Sequence, residues 1–526
     1  MSAPALVGGN LAATLEVLAH ERGWLERPLL RCGEGQYSFG EVLDGAARVA
    51  TLLGERGVRP GDRVLMVAAD SVGLATAFLG TLRMGAVAVT VNPGLTAADH
   101  ATLLADAGPA LVVADEAVAA RFAAAPRVVV TEGFSGAIAD LAPSGAAPLG
   151  TDEPAYVQYT SGTTGRPKGA VHRHADPLTY FDAVADAVYG LSPDDVVFCI
   201  SKMFFAYGLP SSLLHPMLAG CSAVLERERP TPALARARCA EHGVTVLLSV
   251  PTFFAALVDE GHAEDLRSVR LAISGGEPLR PRLRQSVEAF LGCPILNHLG
   301  STEIGHGYVS DLVADRRDGT AGRALPPYQV EVRDSSGTAV PPGTEGQVWV
   351  TGPTLMLGYL GQPEQTAAAL VDGWLRSGDL GMLDEDGFLT LAGRADDIEI
   401  VSGYKIWPGE VESALGRHEA VSAVAVVGQV DEDRGSVLHA VVVCRPGVEG
   451  DQALVDELVA VARDALAPFK VPRRYTFVDD LPRTATGKLQ RFRLRAEAPA
   501  LTAGATTFAR RADWSTALSG AGGGEP

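Results

Sequence analysis

The sequence predicts an α/β protein: a large N-terminal domain of layered α/β subdomains with a small β-barrel-like part, followed by a small α+β C-terminal domain. Three observations predict it. Helical apolar patches take turns with short β-branched runs through the first half of the chain. The texture changes after Leu325 to short alternating segments separated by turn signals. A compact mixture of helix and strand patterns follows Arg394, and 526 residues are ample for more than one core.

In order, Tyr37 to Arg56 reads as a helix, Arg63 to Val67 as a strand, Val72 to Arg83 as a helix and Val87 to Val91 as a buried strand ahead of Pro93-Gly94. The pattern resumes at Ala110–Val113, Val128–Val130, Val196–Ile200, Ala223–Leu225 and Val244–Leu248. Strand and helix alternating at this spacing call for mostly parallel sheets. Gln329–Val332 and Gln347–Val350, divided by Asp334-Ser335-Ser336-Gly337 and Pro341-Pro342-Gly343, read as antiparallel β. Pro408–Arg417 and Leu454–Leu466 read as helices, Val421–Val430 and Leu438–Arg445 as strands. The expected division is 1–395, 396–498 and a flexible tail over 499–526, rich in Ala, Gly, Thr and Ser.

Hydrophobic residues make up 47% of the chain and charged residues 20%, as in ordinary globular proteins. The excess of 63 acidic over 44 basic residues, a net charge of −19, disfavours nucleic-acid and anionic-membrane partners. The six cysteines lack C-x-x-C or Cys/His ligand spacing, so reduced thiols are expected rather than a zinc site or disulfide framework. Met1 to Glu21 has no basic segment leading into a cleavable apolar core, and the apolar run from Leu74 to Val91 is broken by Arg83 and glycines. These features point to a cytoplasmic protein.

The most informative stretch is Tyr159-Thr160-Ser161-Gly162-Thr163-Thr164-Gly165-Arg166-Pro167-Lys168-Gly169. Glycines bring main-chain N–H groups close to phosphate oxygens, the hydroxyls add compact donors, and Lys168 supplies a mobile cation. The G-x-x-x-x-G-K-[ST] spacing of a P-loop is absent, so a polyphosphate such as ATP is held by another route.

Downstream stand Ser274-Gly275-Gly276-Glu277-Pro278, Gly300-Ser301-Thr302-Glu303, Ser377-Gly378-Asp379, Gly393-Arg394-Ala395-Asp396-Asp397 and Pro482-Arg483-Thr484-Ala485-Thr486-Gly487-Lys488. Together with the Thr/Gly loop, their order and spacing resemble the adenylate-forming superfamily of acyl- and aryl-CoA synthetases, adenylation domains and luciferases, over about Gln36 to Arg495. The resemblance implies ATP, Mg²⁺ and CoA as ligands and a mobile C-terminal domain. It implies phosphate binding by Thr160 to Gly165, Lys168, Ser301 and Thr302, Mg²⁺ at Glu303, and ribose at Asp379 with Arg394 near ribose or phosphate. It places adenine against Gly275, Gly276 and Glu277, with Asn297 and His298 as neighbours. Lys488 then bridges the reacting carboxylate and α-phosphate. Asp396 falls at the hinge, and Ser402-Gly403-Tyr404-Lys405 faces the site during thioester formation. Glu399 departs from the family pattern, in a place where many members carry lysine.

Ser201-Lys202-Met203-Phe204-Phe205-Ala206-Tyr207-Gly208-Leu209 resembles the acid-binding region of benzoate-CoA ligases. By that resemblance Phe205 is an aromatic gate and Ala206 and Tyr207 form one wall, with Gly300, His306 and Gly307 opposite. Apolar walls and an aromatic ring suit a flat aromatic acid. Gly307 stands where benzoate enzymes carry a bulky aliphatic residue, so an enlarged pocket is expected, tolerant of a ring substituent or a longer phenylpropenoic acid. The implied activity is an ATP-dependent aryl-CoA ligase working through an aryl-adenylate. An alternative delivers the acyl group to an acyl carrier protein. A non-catalytic nucleotide-binding regulator is opposed by the joint presence of Lys168, Glu303, Asp379, Arg394 and Lys488. A homodimer is implied by resemblance alone.

Overall fold

The structure is a computed structural model, and it describes residues 3–33, 35–126, 128–130, 137–160, 167–394, 399–401, 404–431, 435–482, 489–491, 493–495 and 507–509. The chain divides into two compact units: 1–377 with 381–391, and 378–380 with 392–526.

Two large sheets dominate the first unit. The seven-stranded sheet runs, from one edge to the other, Gly358–Tyr359, Lys168–Arg173, Pro154–Thr160, Val87–Val91, Arg63–Val67, Leu111–Ala114 and Val128–Val130. Its five strands from Pro154–Thr160 to Val128–Val130 are parallel, as the alternating pattern requires. The nine-stranded sheet is ordered Arg323–Ala324, Gly307–Ser310, Ile295–Gly300, Leu271–Gly275, Val246–Ser249, Val196–Cys199, Ser222–Leu225, Pro28–Cys32 and Gly35–Ser38. Val89, Leu247 and Ile273 are fully buried, which explains why these strands read as continuous apolar runs.

The helix expected from Tyr37 begins at Phe39, because Ser38 accepts from the Glu41 N–H while the Glu41 carboxylate accepts from the Ser38 N–H. The Val72–Arg83 helix starts on a Ser71 cap and packs on the Phe39–Glu55 helix. The part anticipated after Leu325 is a five-stranded sheet containing the antiparallel pair Gln329–Arg333 and Gly346–Thr351.

The second unit carries the Glu399–Val401/Tyr404–Ile406 hairpin and a four-stranded sheet ordered Val421–Asp431, Gly435–Cys444, Arg474–Phe477, Thr507–Ala509. Helices Pro408–Leu415 and Gln452–Ala465 share its core through Val411, Leu415, Leu458 and Tyr475. Thr507–Ala509, inside the segment expected to be a flexible tail, instead pairs antiparallel with Arg474–Phe477. Glu399 accepts a 2.8 Å hydrogen bond from Arg495 and lies over Gly428, where a Cβ would sit 2.3 Å from its carboxylate. Its departure from the family pattern is therefore matched by a local ion pair.

All six cysteines are free thiols. Among the described residues no helix is long and apolar enough to cross a membrane.

Candidate active site

The strands on either side of the Thr/Gly segment are paired at their ends, since Thr160 and Lys168 are partners in the antiparallel pairing of Pro154–Thr160 with Lys168–Arg173. Ser161, Gly162, Thr163, Thr164 and Gly165 lie outside the described residues. The Lys168 ammonium stands 5.3 Å from the centre of the Tyr359 ring, and the Tyr359 hydroxyl donates to Glu303 Oε1 at 2.7 Å. Two sequence-predicted residues, Lys168 and Glu303, are thereby brought to one aromatic side chain that no motif had singled out.

Glu303 and Thr302 lie in a tight loop between strands Ile295–Gly300 and Gly307–Ser310. The Ser301 and Gly305 amides donate back to the His306 and Ser301 carbonyls, and Gly305 takes φ +88°. The loop is pinned from outside: Met356 N–H donates to the Glu303 carbonyl at 2.8 Å, and His172 Nε2 donates to the Thr302 carbonyl at 2.7 Å. The donors offered to a cation here are oxygens. Among the described residues no group of three or more His, Cys, Asp or Glu forms a metal cage. One carboxylate, that of Glu303, is compatible with Mg²⁺, which takes few protein ligands and completes its shell with other oxygens.

The segment expected to bind the acid follows the end of Val196–Cys199. Met203 N–H donates to the buried Asp70 carboxylate at 3.0 Å, and Phe205 N–H donates to the Lys202 carbonyl at 3.0 Å. A Cβ at Gly208 would stand 2.0 Å from the Lys202 carbonyl oxygen, so only glycine permits this turn. Phe204 and Phe205 meet edge to face with centroids 4.4 Å apart, and Phe205 and Ala206 are half-buried. Tyr207 donates to the Ile273 carbonyl at 3.2 Å, and its ring faces Gly275, where a Cβ would be 3.2 Å from Cζ. The ring lying on Gly275 is thus that of Tyr207. Gly276, with φ +83°, turns the chain toward Glu277.

Asn297 and His298 separate in role. The Asn297 amide is engaged with the Thr320 carbonyl at 2.9 Å. His298 joins a cluster of rings: its ring centroid lies 5.2 Å from His306, 5.9 Å from Tyr189 and 6.3 Å from Tyr207. A Cβ on Gly307 would fall 1.7 Å from His298 Nε2. The enlarged pocket expected from Gly307 is therefore corrected, because the His298 imidazole occupies the room that the missing side chain leaves. Gly300 needs its small size too, as a Cβ would be 2.5 Å from the His306 carbonyl oxygen.

His215, His298 and His306 are all buried. Burial lowers the pKa of His215 and His298 to about 3 and that of His306 well below its ordinary value, so all three are neutral at pH 7.

In the second unit Asp379 and Arg394 form an ion pair at 3.1 Å. Tyr404 and Lys405 lie in the Tyr404–Ile406 strand. Asp396, Ser402, Gly403 and Lys488 lie outside the described residues.

Two large α/β sheets, with Lys168 and Glu303 brought together at Tyr359, fit an adenylate-forming enzyme. The chain belongs to the AMP-binding enzyme family, which matches residues 18–360, with the AMP-binding enzyme C-terminal domain matching 410–488. It is 41% identical over 492 residues to the p-hydroxybenzoic acid–AMP ligase FadD22 of Mycobacterium tuberculosis, covering 93% of this chain and 69% of that one. It is 37% identical to the benzoate–CoA ligase of Thauera aromatica, covering 88% and 91%. The solved structure of a benzoate CoA ligase from Burkholderia xenovorans superposes with a TM-score of 0.86 at 36% identity, covering 92% of this chain and 99% of that one.

Proposed function

We propose that this AMP-forming acid–thiol ligase activates an aromatic acid, benzoate or a ring-substituted relative. A carboxylate oxygen attacks the α-phosphorus of ATP and pyrophosphate leaves; the thiol sulfur of CoA then attacks the acyl carbon of the aryl-adenylate and AMP leaves. The observation that carries this reading is the continuity of one loop. The His306 ring centroid lies 5.9 Å from that of Tyr207, while Glu303, three residues earlier, meets Lys168 at Tyr359. This closeness supports neighbouring seats for a reacting carboxylate and a triphosphate.

Both reactants are anions, so the protein must hold them together against their repulsion. Lys168, Thr160, Ser161, Gly162, Thr163, Thr164, Gly165 and Thr302 serve the phosphates. Asp379 takes the ribose hydroxyls with Arg394 beside it, and Lys488 spans the carboxylate and α-phosphate. Glu303 holds Mg²⁺, which when bound supplies charge neutralisation on the phosphates. Residues around Asp396 act as the hinge that exchanges Lys488 for Ser402-Gly403-Tyr404-Lys405 before thioester formation. Six free thiols favour a reducing, cytoplasmic setting.

A second reading concerns the acceptor. The 41% identical relative is named for an AMP product and the 37% identical one for a CoA product, so transfer to the phosphopantetheine of a carrier protein competes with transfer to CoA. Purified enzyme with ATP, Mg²⁺ and a panel of aromatic acids should release pyrophosphate and yield an aryl-adenylate. Adding CoA or a carrier protein in turn identifies the acceptor by which one releases AMP. Absence of adenylate from every aromatic acid sinks the proposal.

A further inference from the structure

We infer that Lys202 is a positioning residue for the aromatic acid: its ammonium, seated on the Glu226 and Glu228 carbonyls, holds in place the turn that carries Phe205, Ala206 and Tyr207. The inference rests on the aryl-acid reading above and adds to it the side chain that fixes the acid-binding segment.

The seat of the ammonium is built in advance. Lys202 stands three residues past the end of Val196–Cys199 and is half-buried. Its Nζ donates to the Glu226 carbonyl and, at 2.7 Å, to the Glu228 carbonyl, both just beyond the end of Ser222–Leu225. The Glu226 carboxylate braces that stretch, since Oε1 accepts from the Glu228 N–H at 3.1 Å and Oε2 accepts from Arg238 Nε at 2.8 Å. A lysine ammonium has three donors and no acceptor, so it suits a place where two carbonyl oxygens converge.

The next residue is held from elsewhere. Met203 N–H donates to the Asp70 carboxylate at 3.0 Å, and Asp70 lies three residues past Arg63–Val67. Ser222–Leu225 belongs to the nine-stranded sheet and Arg63–Val67 to the seven-stranded one. Lys202 and Met203, adjacent in the chain, are therefore fastened to the strand ends of two different sheets.

The carbonyl of Lys202 passes this position on. It accepts from Phe205 N–H at 3.0 Å, and the Phe205 carbonyl in turn accepts from the Gly208 and Leu209 N–H groups at 3.0 and 2.9 Å. Gly208 closes on the same atom, where a Cβ would stand 2.0 Å from the Lys202 oxygen. Ala206 and Tyr207 lie between these two anchors, and the Tyr207 hydroxyl is tied to the Ile273 carbonyl. Without the ammonium, the Lys202 carbonyl loses its side-chain tether and the whole turn is free to shift. A displacement of about 1 Å in a group that positions substrate costs on the order of 100-fold in rate.

The experiment measures KM for ATP and for an aromatic acid that the wild-type enzyme adenylates, by pyrophosphate release. Lys202→Met keeps the length of the stem and removes the donors; it should raise the acid KM roughly tenfold or more while the KM for ATP stays within about twofold. Lys202→Arg, which restores a cation with several N–H donors, should recover part of the loss. An unchanged acid KM in folded Lys202→Met overturns the inference, and so does a KM for ATP that rises as far as that for the acid. Should Lys202→Met not fold, Arg238→Gln carries the same test: loosening the Glu226 brace should raise the acid KM severalfold, and no change there overturns the inference. Hydrogen exchange of residues 203–209 needs neither substrate nor variant; exchange in the wild-type enzyme as fast as in the exposed stretch 316–319 would also overturn it. Failure of every aromatic acid to give an adenylate would instead strike the aryl-acid reading, and faster exchange of 203–209 in Lys202→Met than in wild type would still uphold the role of the ammonium in holding the turn.

Discussion

His172 Nε2 donates a 2.7 Å hydrogen bond to the carbonyl of Thr302, 130 residues away in sequence, while His172 Nδ1 faces the Asp176 carboxylate at 3.1 Å. The histidine is fully buried in the strand that begins at Lys168. One strand thus carries Lys168 at its start and, four residues on, the prop for the turn bearing Glu303. Replacing His172 by Ala leaves the Thr302 carbonyl without this donor and should lower stability by about 1–3 kcal/mol in denaturant unfolding. The loosened turn should also raise KM for ATP several-fold. His172→Gln, which can present an N–H to the same carbonyl, should recover part of both losses. An unchanged KM for ATP in His172→Ala would show that the turn keeps its shape without the prop.

Tyr359 joins Lys168 and Glu303, and the contact with each can be separated. Tyr359→Phe keeps the ring under the Lys168 ammonium and removes the 2.7 Å hydrogen bond to Glu303. A hydrogen bond to a charged group contributes about 1.5–3 kcal/mol when no water replaces it. The expected result is a fall in kcat of roughly tenfold, with a higher Mg²⁺ concentration needed for half-maximal rate, because Glu303 is no longer oriented. Tyr359→Ala should be worse in KM for ATP, since the cation loses its aromatic face. A Mg²⁺ titration of both variants checks this; identical curves would mean that the ring alone matters.

The fit of His298 over Gly307 makes a reciprocal test of packing. In Gly307→Ala the added methyl would sit 1.7 Å from His298 Nε2, so the imidazole must move. Overpacking of this kind destabilises by about 1–3 kcal/mol. His298→Gly opens the space again, and the double variant should be more stable than the sum of the two single changes predicts, by roughly 1 kcal/mol or more. Strict additivity in denaturant unfolding would show that the two positions do not compete for the same volume.

These relationships also mark what the sequence made legible. Strands Arg63–Val67 and Val87–Val91 and the helix Val72–Arg83 lie where their periodicity puts them, because burial on both sheet faces writes an uninterrupted apolar run. Thr507–Ala509 is short and compositionally plain, and only its pairing with Arg474–Phe477 makes it a strand. Glu303 and Lys168 were readable from motifs. Tyr359, His172 and Asp70 were not, since each acts through a partner 56, 130 or 133 residues distant. Gly307 was read correctly as a missing side chain. Its occupant, His298, comes from the adjacent strand, and a residue-by-residue reading of one position does not reveal a neighbour that has taken its place.

Asp70 gives the segment from Met203 to Tyr207 a pH signature. Its carboxylate accepts from Met203 N–H, two residues before Phe205, and is buried beside Lys202 and Glu226. Burial raises its pKa to about 6, against the opposing pull of the Lys202 cation and the Met203 N–H. The folded state therefore holds a proton that the unfolded chain releases near pH 4. This contribution favours the fold fully below about pH 4 and is lost as pH rises to about 6, a loss of roughly 3 kcal/mol at neutrality. Asp70→Asn keeps an oxygen for Met203 N–H and removes the titration. Its stability relative to wild type should rise between pH 4 and 6 and then level off, with the acid KM little changed. A difference between the two proteins that stays constant across that window would mean that Asp70 is not the titrating group.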